Sequence, residues 1–261
     1  MQKNGQKITR RYPKFLYDMY SNVNIIKEQI LQWFFVHFPS AKVLLYHRVN
    51  NLNVDPNKLA VSIKNFKQHI NYLKKTYKIV SLDLLLNQVS NKKLQPNTIA
   101  ITFDDGYLDN FQIMYPIIKK MNVPVTIFVS SSIGSATIKT LFSKKGWIDE
   151  LSKCDLVIIG SHTSSHPRLS KLNSSDQEKE IKINKVLLEK IVNRNINYFA
   201  YPFGQRDDFD NTSQKILKKL KYKLAFSAYP GLVTYRTNLY RYPRYSIKNW
   251  DLSEFKKKTN L

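Results

Sequence analysis

From residue 41 onward, short apolar runs rich in β-branched and aromatic residues alternate with longer stretches of helical period. The strand-like runs are 43–47, 79–81, 98–103, 124–130, 156–161, 198–201 and 223–227. Helical stretches at 63–75, 109–120, 176–192 and 213–220 lie between them. A strand that is apolar throughout is buried on both faces, and the connecting helices supply the cover, so the sheet is expected to be parallel. Seven such units favour a barrel or barrel-like sheet over a small open one. The class is α/β, and no long linker divides residues 41–261.

In parallel α/β folds the chemistry gathers at the C-terminal ends of the strands. His47 ends the first run, Asp104 and Asp105 follow the third, and His162 follows the fifth. Tyr201, Pro202, Phe203 and Gly204 come at the end of the sixth. Every chemically suggestive residue is therefore expected on one rim.

Composition excludes several alternatives. With a single cysteine, Cys154, neither an intramolecular disulfide nor a cysteine-based zinc site can form. No apolar run approaches the ~18 residues of a membrane-spanning helix, and no secretory leader is expected in the polar, basic start. The net charge of +23 favours an anionic partner. The lysines are spread along the chain rather than gathered in a stripe, so a solvated basic surface is expected ahead of nucleic-acid binding. Residues 1–40 read as a separate basic, amphipathic extension, in which 24–38 has a helical apolar pattern. An extra helix packed on the domain is the expectation there. The rival is a segment lying on an anionic membrane, helped by Arg10, Arg11, Lys14 and Lys27. The expected location is the cytoplasm, with peripheral contact on the inner membrane face as its extension. The sequence sets no oligomeric state.

Three motifs carry the chemistry. In Thr102-Phe103-Asp104-Asp105-Gly106-Tyr107, two adjacent carboxylates leave an apolar strand, an arrangement that raises a pKa unless a cation neutralises it. In Ser161-His162-Thr163-Ser164-Ser165-His166, two histidines at i and i+4 suit one face of a helical turn and one metal ion. Two imidazoles and one carboxylate leave a fourth position open, as catalytic zinc sites require. In Phe199-Ala200-Tyr201-Pro202-Phe203-Gly204, proline and glycine force a turn where a backbone N–H can face a pocket. His37 and His69 read as structural. Trp147 and Tyr107 are candidates for an aromatic stacking wall in a substrate groove, although aromatic residues in an α/β domain are usually core.

Together these motifs resemble the polysaccharide deacetylase family, also described as the NodB-homology domain or carbohydrate esterase family 4. The resemblance spans roughly residues 43–246 and makes 41–261 one NodB-like domain. It implies a distorted (β/α)7 barrel with Asp104 as general base and with Asp105, His162 and His166 holding one divalent metal ion, zinc first. It also implies that Thr102 and Gly106 shape the loop, with Phe203 as the backbone oxyanion donor and Tyr201 beside it at the substrate.

The chain departs from the common family pattern twice. No histidine follows His166 to serve as the acid, whereas Leu44-Leu45-Tyr46-His47-Arg48-Val49 resembles the opening of the permuted poly-β-1,6-N-acetylglucosamine deacetylase subgroup. The acid's role then falls on His47. Ala200 stands where many members place an arginine that orients the base, and Arg244 is the expected substitute for it. The implied activity is metal-dependent removal of N-acetyl groups from N-acetylhexosamine units of a polysaccharide or lipid-linked glycan. The competing expectations are a non-catalytic carbohydrate-binding module and a hydrolase of imide or ureide bonds.

Overall fold

The computed structural model describes residues 30, 37–131 and 146–261. The extension expected at 1–40 lies almost entirely outside them. The principal sheet is parallel, with strands β1 (Ala41–Tyr46), β4 (Lys78–Ile79), β5 (Thr98–Phe103), β6 (Val125–Val129), β7 (Val157–Ser161), β8 (Tyr198–Ala200), β9 (Leu224–Phe226) and β10 (Tyr245–Ser246). Its order is β10-β1-β5-β6-β7-β8-β9, and β4 pairs with the first half of β5. Strands β2 (Arg48–Val49) and β3 (Ala60–Val61) form a small parallel pair outside it.

The sheet curls into a distorted barrel. Phe226 forms a parallel bridge with Tyr242, so the segment leading into β10 spans the gap left by β9. All residues of β1, β5 and β6 are buried, which explains why those runs are apolar without alternation.

The helices are α1 (Ile63–Thr76), α2 (Leu82–Ser90), α3 (Tyr115–Met121), α4 (Trp147–Ser152), α5 (Ser174–Val192), α6 (Asn211–Lys219) and α7 (Leu252–Thr259). Side-chain caps mark the starts of α1, α2, α5, α6 and α7, among them Ser62 accepting from Asn65 N–H and a reciprocal capping box between Asp210 and Ser213. The single helix expected over 109–120 is instead a π-helical stretch, Asn110–Met114, followed by α3. Pro116 has no N–H to donate back into the preceding turn, and the ladder there widens. Helices α2, α4 and α7 and the two-residue strand β10 were not expected. β10 is too short to carry a period, and Leu44 and Leu45 of β1 fix it in place as partners.

Candidate active site

The rim at the C-terminal strand ends holds a cavity of about 730 Å³ lined by His47, Asp104, Asp105, His162, His166 and Phe203, among others. His47 leaves β1, and its carbonyl accepts a hydrogen bond from Asn110 Nδ2 at 2.9 Å. Asp104 and Asp105 leave β5 into a turn where Asp105 (φ 74°) and Gly106 (φ 76°) are both left-handed. A side chain at position 106 would crowd Val129 at 3.1 Å, so glycine is required both for its φ and for space. Strain of this kind at Asp105 is typical of positions where the surroundings over-determine a functional side chain.

The two histidines do not sit on a helical turn. His162 ends β7, and the chain then runs irregularly, with left-handed residues at Thr163 (φ 64°) and His166 (φ 61°). Thr163 Oγ1 accepts from His166 N–H, while the Glu180 carboxylate on α5 accepts from Ser164 N–H, Ser165 N–H and the Ser165 hydroxyl. The loop brings the imidazoles together with ring centroids 4.8 Å apart. The expected pairing of the side chains is therefore reached by a different backbone route.

His162 Nδ1–H donates to the Ala200 carbonyl at 2.7 Å, which leaves the Nε2 lone pair facing the cavity. That Nε2 lies 3.4 Å from Asp105 Oδ1, and His166 Nε2 lies 3.4 Å from the same oxygen. Asp105 Oδ1 is buried and accepts no hydrogen bond among the described residues. One candidate ligand atom from each of the three residues lies within 4.8 Å of the others. Ligands about 2.1 Å from a tetrahedral ion stand roughly 3.4 Å apart, so the donor set fits a divalent cation. Burial would lift the Asp105 carboxyl, but the surrounding histidines bring it down to about 2. His166 is lowered to about 4 by burial and by His162, so it is neutral, as a metal ligand must be.

Asp104 is held differently. Arg244, fully buried at the end of the β9–β10 crossover, donates from Nη1 to Asp104 Oδ1 and from Nη2 to Oδ2, both at 2.7 Å. Its Nε–H donates to the Ser227 carbonyl, and Nη1 also reaches the Thr102 hydroxyl at 3.2 Å. Burial alone would raise Asp104, but Arg244 and then His162 outweigh it and the pKa falls below the usual carboxylate range. His47 is lowered by burial against the opposing pull of Asp105 and Asp104.

A sequence profile described as polysaccharide deacetylase matches residues 91–225, more than half of the chain. The chain belongs to the polysaccharide deacetylase family. The poly-β-1,6-N-acetyl-D-glucosamine N-deacetylase of Staphylococcus aureus is 29% identical over 248 residues, covering 81% of this chain and 83% of that one. YxkH of Bacillus subtilis is 29% identical over 210 residues, covering 78% and 70%. In three dimensions the chain is similar to the Streptococcus pyogenes deacetylase PplD in complex with acetate. That likeness has a TM-score of 0.72 at 23% identity and covers 84% of this chain and 98% of that one. The protein is thus an enzyme of the polysaccharide deacetylase class, with the distorted barrel of that class.

Within this deacetylase, two expected substrate residues are displaced from the site. Tyr201 is 1% exposed, stacks on Phe209 at 3.9 Å and donates its hydroxyl to the Tyr240 carbonyl. Its N–H bonds the Phe226 carbonyl, so neither group is available to substrate. Trp147 is likewise core, 2% exposed and packed against Phe111. Phe203 does line the cavity, with φ 61° and an exposed ring against His166 and beneath the Arg168 guanidinium. Its N–H makes no hydrogen bond among the described residues. Tyr107 also lines the cavity, under the Arg48 guanidinium at 4.6 Å.

Sequence reading missed the residues that hold these in place. Asn184 on α5 is fully buried and donates to the Val129 carbonyl and the Ser161 hydroxyl, tying the ends of β6 and β7 together. Glu180 lies one turn before it. Arg168 pairs with buried Asp208, whose Oδ2 accepts Gln205 N–H. The one signal available was the interruption of the apolar stripe of α5 by a polar residue.

Proposed function

We propose that this enzyme hydrolyses the acetamido group of N-acetylglucosamine units in a β-1,6-linked glycan, with Asp104 as base and His47 as acid. Asp105, His162 and His166 would hold one divalent ion, zinc in first place. The observation that carries the reading is the orphaned Asp105 Oδ1 facing two imidazole nitrogens at 3.4 Å, one of which is tautomer-locked as an acceptor. When bound, such an ion supplies Lewis acidity toward an acyl oxygen and lowers the pKa of water.

The chain's own groups do the rest. Arg244 keeps Asp104 ionised and fixed, ready to take a proton from the attacking water. The Phe203 N–H is the protein donor for the oxyanion that forms as water adds to the carbonyl. Burial makes the His47 imidazolium a stronger acid than a free one, suited to protonating the departing amine. Acetate and a free amino sugar are the products.

The glycan class is supported by the relative from Staphylococcus aureus, whose name specifies that polymer. A lipid-linked precursor at the inner membrane face is the finer form of the reading, motivated by the net charge of +23. The test is acetate release from β-1,6-linked oligomers and lipid-linked amino-sugar precursors, before and after chelation and zinc return, with Asp104→Asn alongside. Acetate that needs metal and disappears in the variant is expected. Stoichiometric zinc binding without acetate from any acceptor would overturn the proposal.

A further inference from the structure

We infer that a second cavity, adjoining the active site, holds the sugar unit next to the one being hydrolysed and favours that unit when it is itself N-acetylated. The inference rests on the deacetylase reading above and names a specificity element for it. The cavity has a volume of about 550 Å³ and is lined by Asn51, Asn53, Lys58, Lys248, Asn249 and Trp250, among others. Lys248 also lines the active-site cavity, so the two spaces meet at its side chain.

The polarity of this cleft is weighted toward donors, with the Asp55 carboxylate and the Asn50 amide oxygen as its acceptors. Asn249 Oδ1 accepts from Ser62 N–H at 3.0 Å and from Asn65 Nδ2 at 2.8 Å, at the start of α1. Asn51 Oδ1 accepts from Ile63 N–H at 3.2 Å. Backbone donors thus orient both amides with their oxygens toward the helix, leaving both NH2 groups as donors without an acceptor among the described residues. Asp55, the carboxylate that lines this cleft among the described residues, accepts from Leu59 N–H and Ala60 N–H, one on each oxygen. The Lys248 ammonium makes no hydrogen bond or ion pair among the described residues. A guest therefore meets two ammonium groups and the amide N–H donors of Asn51 and Asn249 against a single carboxylate, Asp55, whose oxygens already accept backbone N–H groups.

Such a lining selects acceptors. An acetamido carbonyl and sugar hydroxyls satisfy it, and the half-buried Trp250 adds an aromatic wall of the kind sugar rings pack against. A free amino sugar brings a cation beside Lys248 and Lys58 and forfeits the carbonyl acceptor. The cleft is also held ready for a guest. Trp250 N–H bonds the Lys248 carbonyl at 2.7 Å, the Trp250 carbonyl meets His69 Nε2 at 2.9 Å, and Asp251 caps α7. The consequence lies in the product. Once a unit is deacetylated it is disfavoured in the cleft, so free amines accumulate at spaced positions rather than in runs.

The test uses the full-length, metal-loaded protein with two β-1,6-linked N-acetylglucosamine oligomers, one fully acetylated and one with a free amine on every second unit. The kcat/KM for acetate release is expected to favour the fully acetylated oligomer by about tenfold, mostly through KM. Lys248→Gln should shrink that ratio to about twofold, and Asn53→Ala should narrow it less. A wild-type ratio near one, or a ratio unchanged in both variants, would overturn the inference. Equilibrium binding of the same oligomers to Asp104→Asn protein separates the two readings. If no acetate is released from either oligomer, the hydrolase assignment falls, while the binding preference still decides the cleft.

Discussion

His69 and His162 are both buried imidazoles, yet they do opposite work. In the packing of α1 against α7, His69 stacks on Phe255 at 4.0 Å, accepts from the Tyr46 hydroxyl at Nδ1 and donates from Nε2 to the Trp250 carbonyl. Both nitrogens are satisfied by neutral groups, and burial lowers the pKa to about 4. On the rim, His162 spends Nδ1 on the Ala200 carbonyl and turns Nε2 toward two carboxylates, whose pull raises its pKa despite burial. A closed set of partners makes an imidazole structural. A ring with one nitrogen pinned and the other aimed at an orphaned oxygen is built for a ligand.

The sharpest way to break this contrast is at the carboxylates. Asp104→Asn should lower acetate release by about 10²–10⁴-fold without unfolding the protein, whereas His69→Gln should keep most of it. Retention of a tenth of the activity in Asp104→Asn would remove that residue as the base. Bound metal gives a second contrast. His162→Ala and Asp105→Ala should take elemental analysis from about one divalent ion per chain to near zero, with His69→Gln unchanged.

Stability provides smaller effects. Arg244→Met strands the buried Asp104 carboxylate and should cost about 3–5 kcal/mol in denaturant unfolding. Adding Asp104→Asn should recover part of that loss, and a strictly additive double variant would refute the coupling. His69 has a folded pKa of about 4 against an ordinary value of 6.5, so over that window the unfolded chain binds more protons. Its contribution should therefore drain away as pH falls from 6.5 to 4, at a slope of at most about 1.4 kcal/mol per pH unit. His69→Gln keeps a donor but cannot titrate, and an unflattened pH profile in that variant would place the acid sensitivity elsewhere. The smallest effect is expected for Tyr201→Phe. It should lose about 1 kcal/mol from one buried hydrogen bond and leave kcat unchanged, whereas a changed kcat would return Tyr201 to the site.

Much of this was legible in the chain. The seven apolar runs each became a strand with ends within a few residues of those expected, because burial on both faces leaves a continuous apolar signature. The rim residues were legible as well, because strand ends in a parallel sheet all point one way. Tyr201 and Trp147 were not, since an aromatic residue beside a motif has the same composition whether it faces substrate or core. The histidine loop was misread as a helical turn because four-residue spacing is also met by two left-handed residues in an irregular loop.

By itself the sequence determined the fold class, the rim and the set of residues with metal-ligating and acid–base chemistry. The first two depend on local period and residue type, and the candidate ligands and acid–base groups on motifs that resemble those of a known family. Only the tertiary structure decided that Arg244, the expected partner, grips both oxygens of Asp104 across 140 positions, that Glu180 and Asn184 hold the strand ends, and that Asn51 and Asn249 turn their donors outward. The physical reason is common to all three. A buried polar group takes whatever partner the packing brings within hydrogen-bonding distance, and that distance in space leaves no period in the chain.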